Sequence, residues 1–333
     1  DLGSANTAVC LPGQGVALRE ASYVLTLEQN ENEVLAIGDD AKALLGRTDE
    51  EAALIAPILD GAVADIDLAA MLASALAEKA LSRRRALEKA RAATAISPGA
   101  TKVERAALLR AMALTGAGRT LVVKSPVAAA VGAGVEFHEP HGVMQIVLGG
   151  STTEISVLSL NGIVAARSMR TGGNAMDEAV VRYLRREKGI VIGVRTAEDL
   201  KMDLGSATEP EEDTTVRVKG RSVHTGRPET IEITNRDIYL ALRAPVELLV
   251  DAIKDALANT PAELAGDLMD KGIHLSGGGA LLSGLNQLLH EATQLPVITS
   301  DLPQDDVAMG LARISAEERV IARLAATGAL VEC

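Results

Sequence analysis

Leu148-Gly149-Gly150-Ser151-Thr152-Thr153 is the stretch on which the fold turns: an apolar run ending at Leu148 passes directly into two glycines and three hydroxyl residues. A glycine backbone has no Cβ in the way, so it can approach an anion closely and point successive N–H groups at one spot. A turn of this composition after a strand is a candidate phosphate cradle. The same combination opens the chain, Asp1-Leu-Gly3-Ser4-Ala-Asn6-Thr7, and returns near its end as Ser276-Gly277-Gly278-Gly279. Taken singly each is more often a tight turn, and neither the Walker nor the dinucleotide glycine string is present. The set and its spacing carry the signal.

Outward from these turns the elements follow from periodicity. Asn6 to Leu11 and the run from Val16 flank Pro12-Gly13-Gln14-Gly15 and read as hairpin strands. Ser22 to Leu27 and Glu33 to Ile37 lie either side of a polar turn, Gln29 to Asn32, and Asp39 and Asp40 are placed to cap a short helix ending before Gly46. Leu68, Met71, Leu72, Ala75 and Leu76 recur at helical spacing up to the basic cluster Arg83-Arg84-Arg85. Thr101 and Glu104 form a capping box before a helix over Ala106 to Leu114. Thr120 to Val123 reads as a buried strand feeding Ser125-Pro126, with the proline in the first turn of a helix over Val127 to Val131. Ile146 to Leu148 and Thr153 to Leu160 are strands, and Asn161-Gly162 joins the second to Ile163 to Ser168 as a hairpin.

Helices are expected over Ala175 to Arg186 and, opened by Thr196, over Thr196 to Leu204; a small β region follows at Thr215 to Val218 and Thr230 to Thr234. Asn235 to Leu242, Val246 to Leu257 and Ala262 to Met269 read as helices separated by Pro245 and Pro261. A strand over Ile273 to Leu275 runs into the third glycine turn and a helix over Ala280 to His290; a strand at Val297 and a helix over Ala316 to Ala326 close the chain. Strand, glycine turn, hairpin and helix succeed one another near residue 1 and again near residue 146, which predicts two similarly built halves.

At 333 residues and 47% hydrophobic content the chain can fill about two cores. With 33 Lys and Arg against 45 Asp and Glu, the net charge of −12 has the wrong sign for a phosphate backbone, so no nucleic acid is expected as main partner. No Trp, three Tyr and one Phe disfavour stacking platforms. Cys10 and Cys333, without a CxxC, suggest reduced thiols in a cytoplasmic protein. No apolar run reaches the ~18 to 20 residues of a spanning helix, and no signal-peptide pattern opens the chain. Asp1 stands in the middle of a strand-to-turn segment without a methionine, so natural residues are expected upstream, where a membrane-anchoring peptide would escape notice.

His138-Glu-Pro-His141 has two imidazoles three apart, but the proline and the lack of a third ligand favour a surface turn. Glu209 to Asp213 reads as an acidic loop, and Met71, Met176 and Met269 as core.

Six blocks in order carry a family resemblance: residues 1–7, Ser-Pro-Val-Ala-Ala-Ala-Val-Gly-Ala-Gly at 125–134, Gly-Gly-Ser-Thr-Thr-Glu at 149–154, Gly-Gly-Asn-Ala-Met-Asp-Glu-Ala at 172–179, Arg-Thr-Ala-Glu-Asp-Leu-Lys at 195–201 and Leu-Ser-Gly-Gly-Gly-Ala-Leu-Leu-Ser-Gly-Leu at 275–285. From residue 1 to about 315 the chain resembles the bacterial actin homologues of the MreB and Mbl family, with Met176 to Ala179 and Thr225 to Thr234 specific to it. The resemblance implies an α/β, actin-like ATPase fold: two lobes, each with a mixed five-stranded sheet and helices, and small β-containing subdomains inserted. Lobe I would comprise 1–125 plus 296–333, with a small subdomain over about 16–58; lobe II would comprise 126–295, with a small subdomain over about 172–240.

By the same resemblance, Gly3, Ser4 and Asn6 would meet the β and γ phosphates of ATP or ADP, with GTP an alternative, and Gly149, Gly150, Ser151 and Thr152 would form the opposing turn. Glu198 and Lys201 would reach the ribose and adenine, Gly277, Gly278 and Gly279 would lie under the adenosine, and Asp1 would hold Mg through water. The implied partners are further copies in a head-to-tail filament, an active MreB, the inner face of the plasma membrane and the wall-elongation machinery that sets cell shape.

Two positions depart from the family. Val147 stands where an Asp is expected, and Ser125, preceded by Lys124, where a Glu is expected before the proline. The Glu orients or deprotonates the attacking water and the Asp helps order the metal's waters. Serine cannot take up the proton at neutral pH and valine cannot bind a metal shell; losing a water-orienting carboxylate alone costs on the order of 10²-fold in rate. The expectation is an ATPase at most, binding nucleotide with weak or absent turnover, which admits a hydrolysis-deficient paralogue that modulates an active relative. Lys124 would either bring positive charge to the γ-phosphate or stay solvated. Relatives carry bulky hydrophobes near 85–88, where this chain has only Ala86-Leu87 beside its arginines, giving shallow insertion or a solvated loop. A sugar or acetate kinase of the superfamily would need a carboxylate base in the cleft and a substrate-binding insertion, neither of which the sequence reveals.

Overall fold

Two strands with every residue buried, Val143–Leu148 and Thr153–Ser159, form the centre of the molecule. The computed structural model describes residues 1–27, 30–47 and 52–332, without the side chains of 30–32 and 332. Gln29 and Cys333 therefore lie outside the described residues, while Cys10 is a free, half-buried thiol. The central strands belong to a five-stranded sheet in the order Gly162–Met169, Thr153–Ser159, Val143–Leu148, Ile273–Ser276, Val297–Thr299. The first three pair antiparallel and the last two add in parallel, a mixed sheet covered by helices on both faces.

Alternation along Val143–Leu148 assigns its two faces. Met144, Ile146 and Leu148 join one apolar cluster with Val180, Leu184, Leu242 and Ile253 from the helices Gly173–Glu187 and Asn235–Ala258. Val147 points the other way, into a cluster with Leu158, Val127, Ala128 and Leu311 from the helices Ser125–Ala133 and Asp306–Ala316. Those two helices cross in near contact. A Cβ on Gly132 would stand 1.8 Å from the Asp306 carbonyl oxygen and one on Gly310 1.7 Å from that of Ala128, so only glycine permits the crossing.

In the first half the hydrogen-bonded groups are smaller. Asn6–Leu11 pairs with Gly15–Ala21 as a hairpin, and Leu330–Glu332, Arg119–Lys124 and Arg91–Ile96 form a three-stranded sheet. The expected five-stranded sheet is thus continuous in the second half and divided two and three in the first. Between the two groups runs Asp1-Leu2, of which Leu2 makes only an isolated bridge to Thr7 while packing against Ala92, Ile96 and Val122. Three small sheets complete the strands among the described residues: Asn30–Ile37, Val24–Leu27 and Ala52–Ile55; Ile58–Leu59 and Ala62–Val63; and Ile190–Val191, Thr215–Ser222 and Pro228–Thr234.

Several boundaries differ from the sequence expectation for identifiable reasons. Asn235–Ala258 is one helix that runs through Pro245. The proline costs about 3 kcal/mol in a helix interior, but it is itself buried beside Val246, Leu249 and Val250, and that apolar face offsets the loss. The expected 280–290 helix is a 3-10 turn, Gly278–Leu281, followed by Leu285–Thr293, because Gly284 breaks the path at φ +71°. Helix Asp306–Ala316 and strand Arg91–Ile96 were not foreseen, and Glu318–Ala326 is a separate helix after it. Gly38, not an aspartate, caps the short helix Asp39–Lys42, and Gly193 rather than Thr196 precedes Val194–Leu204. Met176 is buried and Met71 packs on the core, whereas Met269 is 70% exposed, contrary to expectation.

Candidate functional site

The two glycine turns expected to hold phosphates meet face to face. Ser151 Oγ donates to Ser4 Oγ at 2.6 Å, and a Cβ on Gly150 would stand 2.5 Å from that of Ala5. Each turn is braced from behind. Gly3 N–H donates to the Asn6 carbonyl (3.1 Å) and the Gly3 carbonyl accepts from buried Ser22 (2.6 Å). Gly149 N–H closes on the Thr152 carbonyl (2.8 Å), while the Gly149 and Gly150 carbonyls accept from Gly173 N–H (3.0 Å) and Asn174 N–H (2.7 Å) at the start of helix Gly173–Glu187. With their carbonyls fixed in the scaffold, the turns are preorganised. Gly61 completes the mouth: its N–H donates to Ser4 Oγ at 3.2 Å and it lies against the Thr152 methyl group.

The third turn stacks on the same strand end. Gly277 has φ +87° and would bring a Cβ to 2.3 Å from the Leu148 carbonyl oxygen, and Gly279 packs on the Leu148 side chain. A Cβ on Gly278 would meet open space. Glu198 and Lys201, on helix Val194–Leu204, lie on the same side of the cleft with protein partners of their own: Glu198 with Lys42 (2.6 Å), and Lys201 with Asp177 (2.8 Å) and the Gly173 carbonyl (3.1 Å). Burial outweighs the Lys201 charge at Asp177 and pushes its carboxyl up to about 6.

Asn6 is exposed at the rim. Asp1 is placed two residues before Gly3, with its carbonyl accepting from Ala8 N–H (2.9 Å). Its carboxylate makes no hydrogen bond or ion pair among the described residues. One disengaged carboxylate two residues before the Gly3 turn is a donor of the kind Mg takes, one or two protein carboxylates with the rest of its shell from other oxygens and water.

At the second strand the chemistry differs. Ser125, 9% exposed, donates its hydroxyl to the Glu154 carboxylate, with the Ile96 carbonyl 3.2 Å away. Glu154 pairs in register with Val147, and burial raises its pKa above the ordinary carboxylate value. Lys124 is half-buried, with its ammonium donating to the Ser97 carbonyl (3.4 Å), and burial lowers its pKa. Glu154 closes the 149–154 block, but its burial beside Ser125 is invisible in the sequence. Lys42, Gly61 and Asp177 were missed for the same reason.

The remaining candidates fall away from this cleft. His141 contacts Glu139 (3.5 Å) and Asp267 (3.9 Å) at the surface, and no group of three or more His, Cys, Asp or Glu that could hold a metal occurs among the described residues. Glu209 and Asp213 are tied to Arg236. Arg83, Arg84 and Arg85 are exposed, while Ala86 is buried and Leu87 packs beneath Ala92 and Leu108, so the apolar pair faces inward. Among the described residues, no helix is long and apolar enough to cross a membrane.

A mixed sheet flanked by helices, with glycine turns opposed across a cleft, is an actin-like architecture. The crystal structure of MreB 5 of Spiroplasma citri bound to AMPPNP matches it with a TM-score of 0.90 at 30% identity, covering 98% of this chain and 97% of that one. Residues 1–323 match the family model of the MreB/Mbl protein, and the chain belongs to this family. It is 38% identical over 313 residues to the cell shape-determining protein MreB of Escherichia coli strain K12, covering 93% of this chain and 90% of that protein. With the cell shape-determining protein Mbl of Bacillus subtilis strain 168 it shares 36% identity over 310 residues, 93% and 92% of the two chains.

Proposed function

We propose that this protein binds ATP or ADP with Mg in the cleft, assembles head to tail into filaments that organise cell shape, and turns nucleotide over slowly. The reading divides the chain into lobe I (1–125 and 296–333) and lobe II (126–295). Gly3, Ser4 and Asn6 on one side and Gly149, Gly150, Ser151 and Thr152 on the other would hold the phosphates, Gly277 to Gly279 the adenosine, Glu198 the ribose, and Asp1 the metal through water. The observation that carries it is the meeting of the two braced turns at Ser4 and Ser151. A relative of this fold, MreB 5 of Spiroplasma citri, has been crystallised with AMPPNP and with ADP, and a double helical filament of MamK, 21% identical, shares the fold.

Slow turnover follows from the corner at Ser125. Water attack on a γ-phosphate calls for a positioned proton acceptor, and the Ser125 hydroxyl is neither basic nor free, since its proton is committed to Glu154. Val147 offers the metal's water shell nothing. Mg, when bound, supplies charge neutralisation at the phosphates; the protein's own contribution is the array of backbone donors. The three exposed arginines at 83–85 provide a weak electrostatic attraction to anionic lipid at the inner face of the plasma membrane, about 1 kcal/mol each.

A second reading, a subunit that co-assembles with and slows a hydrolytically intact relative, is favoured by the same two substitutions. Calorimetry with ATP and ADP tests the binding claim, and absence of binding heat overturns it. Pelleting and electron microscopy with ATP, alone and mixed with an intact MreB, separate the two: filaments alone support the first reading, and filaments only in the mixture support the second.

A further inference from the structure

Lys42 belongs to the short helix Asp39–Lys42, at the edge of the small sheet formed by Asn30–Ile37, Val24–Leu27 and Ala52–Ile55. That helix is fixed at its start: Gly38 N–H donates to the Tyr23 carbonyl (2.9 Å), Ala21 N–H to Asp39 Oδ1 (2.9 Å) and Asp39 N–H to Glu20 Oε2 (3.3 Å). From there Lys42 reaches across the cleft to Glu198 Oε2 at 2.6 Å, with both side chains about three-quarters buried. The other carboxylate oxygen, Glu198 Oε1, has no partner among the described residues. One turn along the same helix, Lys201 holds Asp177 and the Gly173 carbonyl, and the Gly173 and Asn174 N–H groups hold the carbonyls of Gly149 and Gly150. Two sets of polar contacts, joined through one turn of helix Val194–Leu204, therefore run from the small sheet to the 149–152 turn.

We propose that Lys42 is a positioning residue for nucleotide: it holds one Glu198 oxygen from the opposite side of the cleft, leaving the other aimed at a sugar hydroxyl, and thereby couples ribose recognition to closure of the cleft. The inference rests on the reading of the cleft as a nucleotide site. Its physical basis is preorganisation. A carboxylate on a free glutamate side chain must lose rotamer freedom to accept from a ribose hydroxyl, whereas one already fixed by a partly buried ammonium does not. The ion pair also joins two parts of the molecule that separate when the cleft opens, so breaking it favours the open form and speeds release.

The test compares wild type, Lys42→Met, Lys42→Arg and Glu198→Gln, each checked for an unchanged melting profile, by calorimetry with ADP, 2′-deoxy-ADP and 3′-deoxy-ADP. Dissociation of base-labelled etheno-ADP gives the release rate. Wild type is expected to prefer ADP over at least one deoxy analogue by roughly tenfold. Lys42→Met is expected to lose most of that preference and to release etheno-ADP roughly five- to tenfold faster, Lys42→Arg to retain both properties, and Lys42→Met with Glu198→Gln to be no weaker than Glu198→Gln alone. A Lys42→Met protein that keeps the wild-type preference and release rate overturns the proposal while leaving the nucleotide reading intact. Wild type that takes up no ADP overturns the nucleotide reading itself, and the proposal with it.

Discussion

The glycine turns and the corner at Ser125 differ in the kind of group they present. In the turns the groups are glycine backbone, held by Ser22, by the 173–174 amides and by the close contacts at Gly150 and Gly277. At the corner the chemistry is that of side chains: Ser125 is a donor already engaged by Glu154, and Val147 is an inert buried branch. A backbone cradle is part of the fold and is kept as long as the fold is kept, whereas a catalytic carboxylate can be exchanged without disturbing the scaffold. On the proposed reading, binding and hydrolysis are therefore separable properties of this architecture.

The sharpest way to break that comparison is to rebuild the corner. Ser125→Glu combined with Val147→Asp is expected to raise phosphate release by ~10²-fold or more, with ADP affinity changed little. An unchanged release rate would show that the corner does not limit turnover. The converse attack is Gly150→Val, whose Cβ meets Ala5 at 2.5 Å. It is expected to weaken ATP binding by about 10²-fold in calorimetry while far-ultraviolet dichroism stays native; retained affinity would mean that the turns do not form the cradle.

A smaller effect separates the two regions by pH. Asp177, which anchors the cradle through Lys201, has its folded pKa raised from 3.8 to about 6 by burial. The folded state thus holds this proton more tightly than the unfolded chain. The associated stability is fully present below the unfolded value and is lost as pH rises through about 6. In urea titrations between pH 4 and 7, Asp177→Asn is expected to remove a decline of about 2 kcal/mol across that window; an unaltered slope would assign the decline elsewhere. The smallest expected effect is a control outside both regions. Thr101 caps helix Lys102–Leu114 in a reciprocal capping box, and Thr101→Ala is expected to cost ~1 kcal/mol in denaturation without changing affinity or turnover. A change in either function would couple that helix to the cleft.

Much of the scaffold was legible because its signals are local. The hairpin at Asn161-Gly162, with positive φ at Asn161, the Thr101 box and the helical stripe at Leu68 to Leu76 all depend on neighbours within a turn or two of chain. The strand Arg91–Ile96 escaped notice because three of its six residues are alanines, which carry little strand signal until Leu108, Met112 and Val122 cover them. Pro245 misled for the opposite reason: a strong local breaker was overruled by the apolar face of a 24-residue helix.

The glycine turns, their hydroxyl residues and the identities of Ser125 and Val147 were determined by the order of residues alone, since a turn's conformation and a side chain's chemistry are properties of a few adjacent positions. Tertiary structure alone decided that Ser4 meets Ser151, that Ser125 gives its proton to Glu154, and that Lys42 spans the cleft to Glu198. Those pairs are separated by 29 to 156 positions. Their distances are set by how helices and sheets pack, which depends on the whole core at once and on no local pattern.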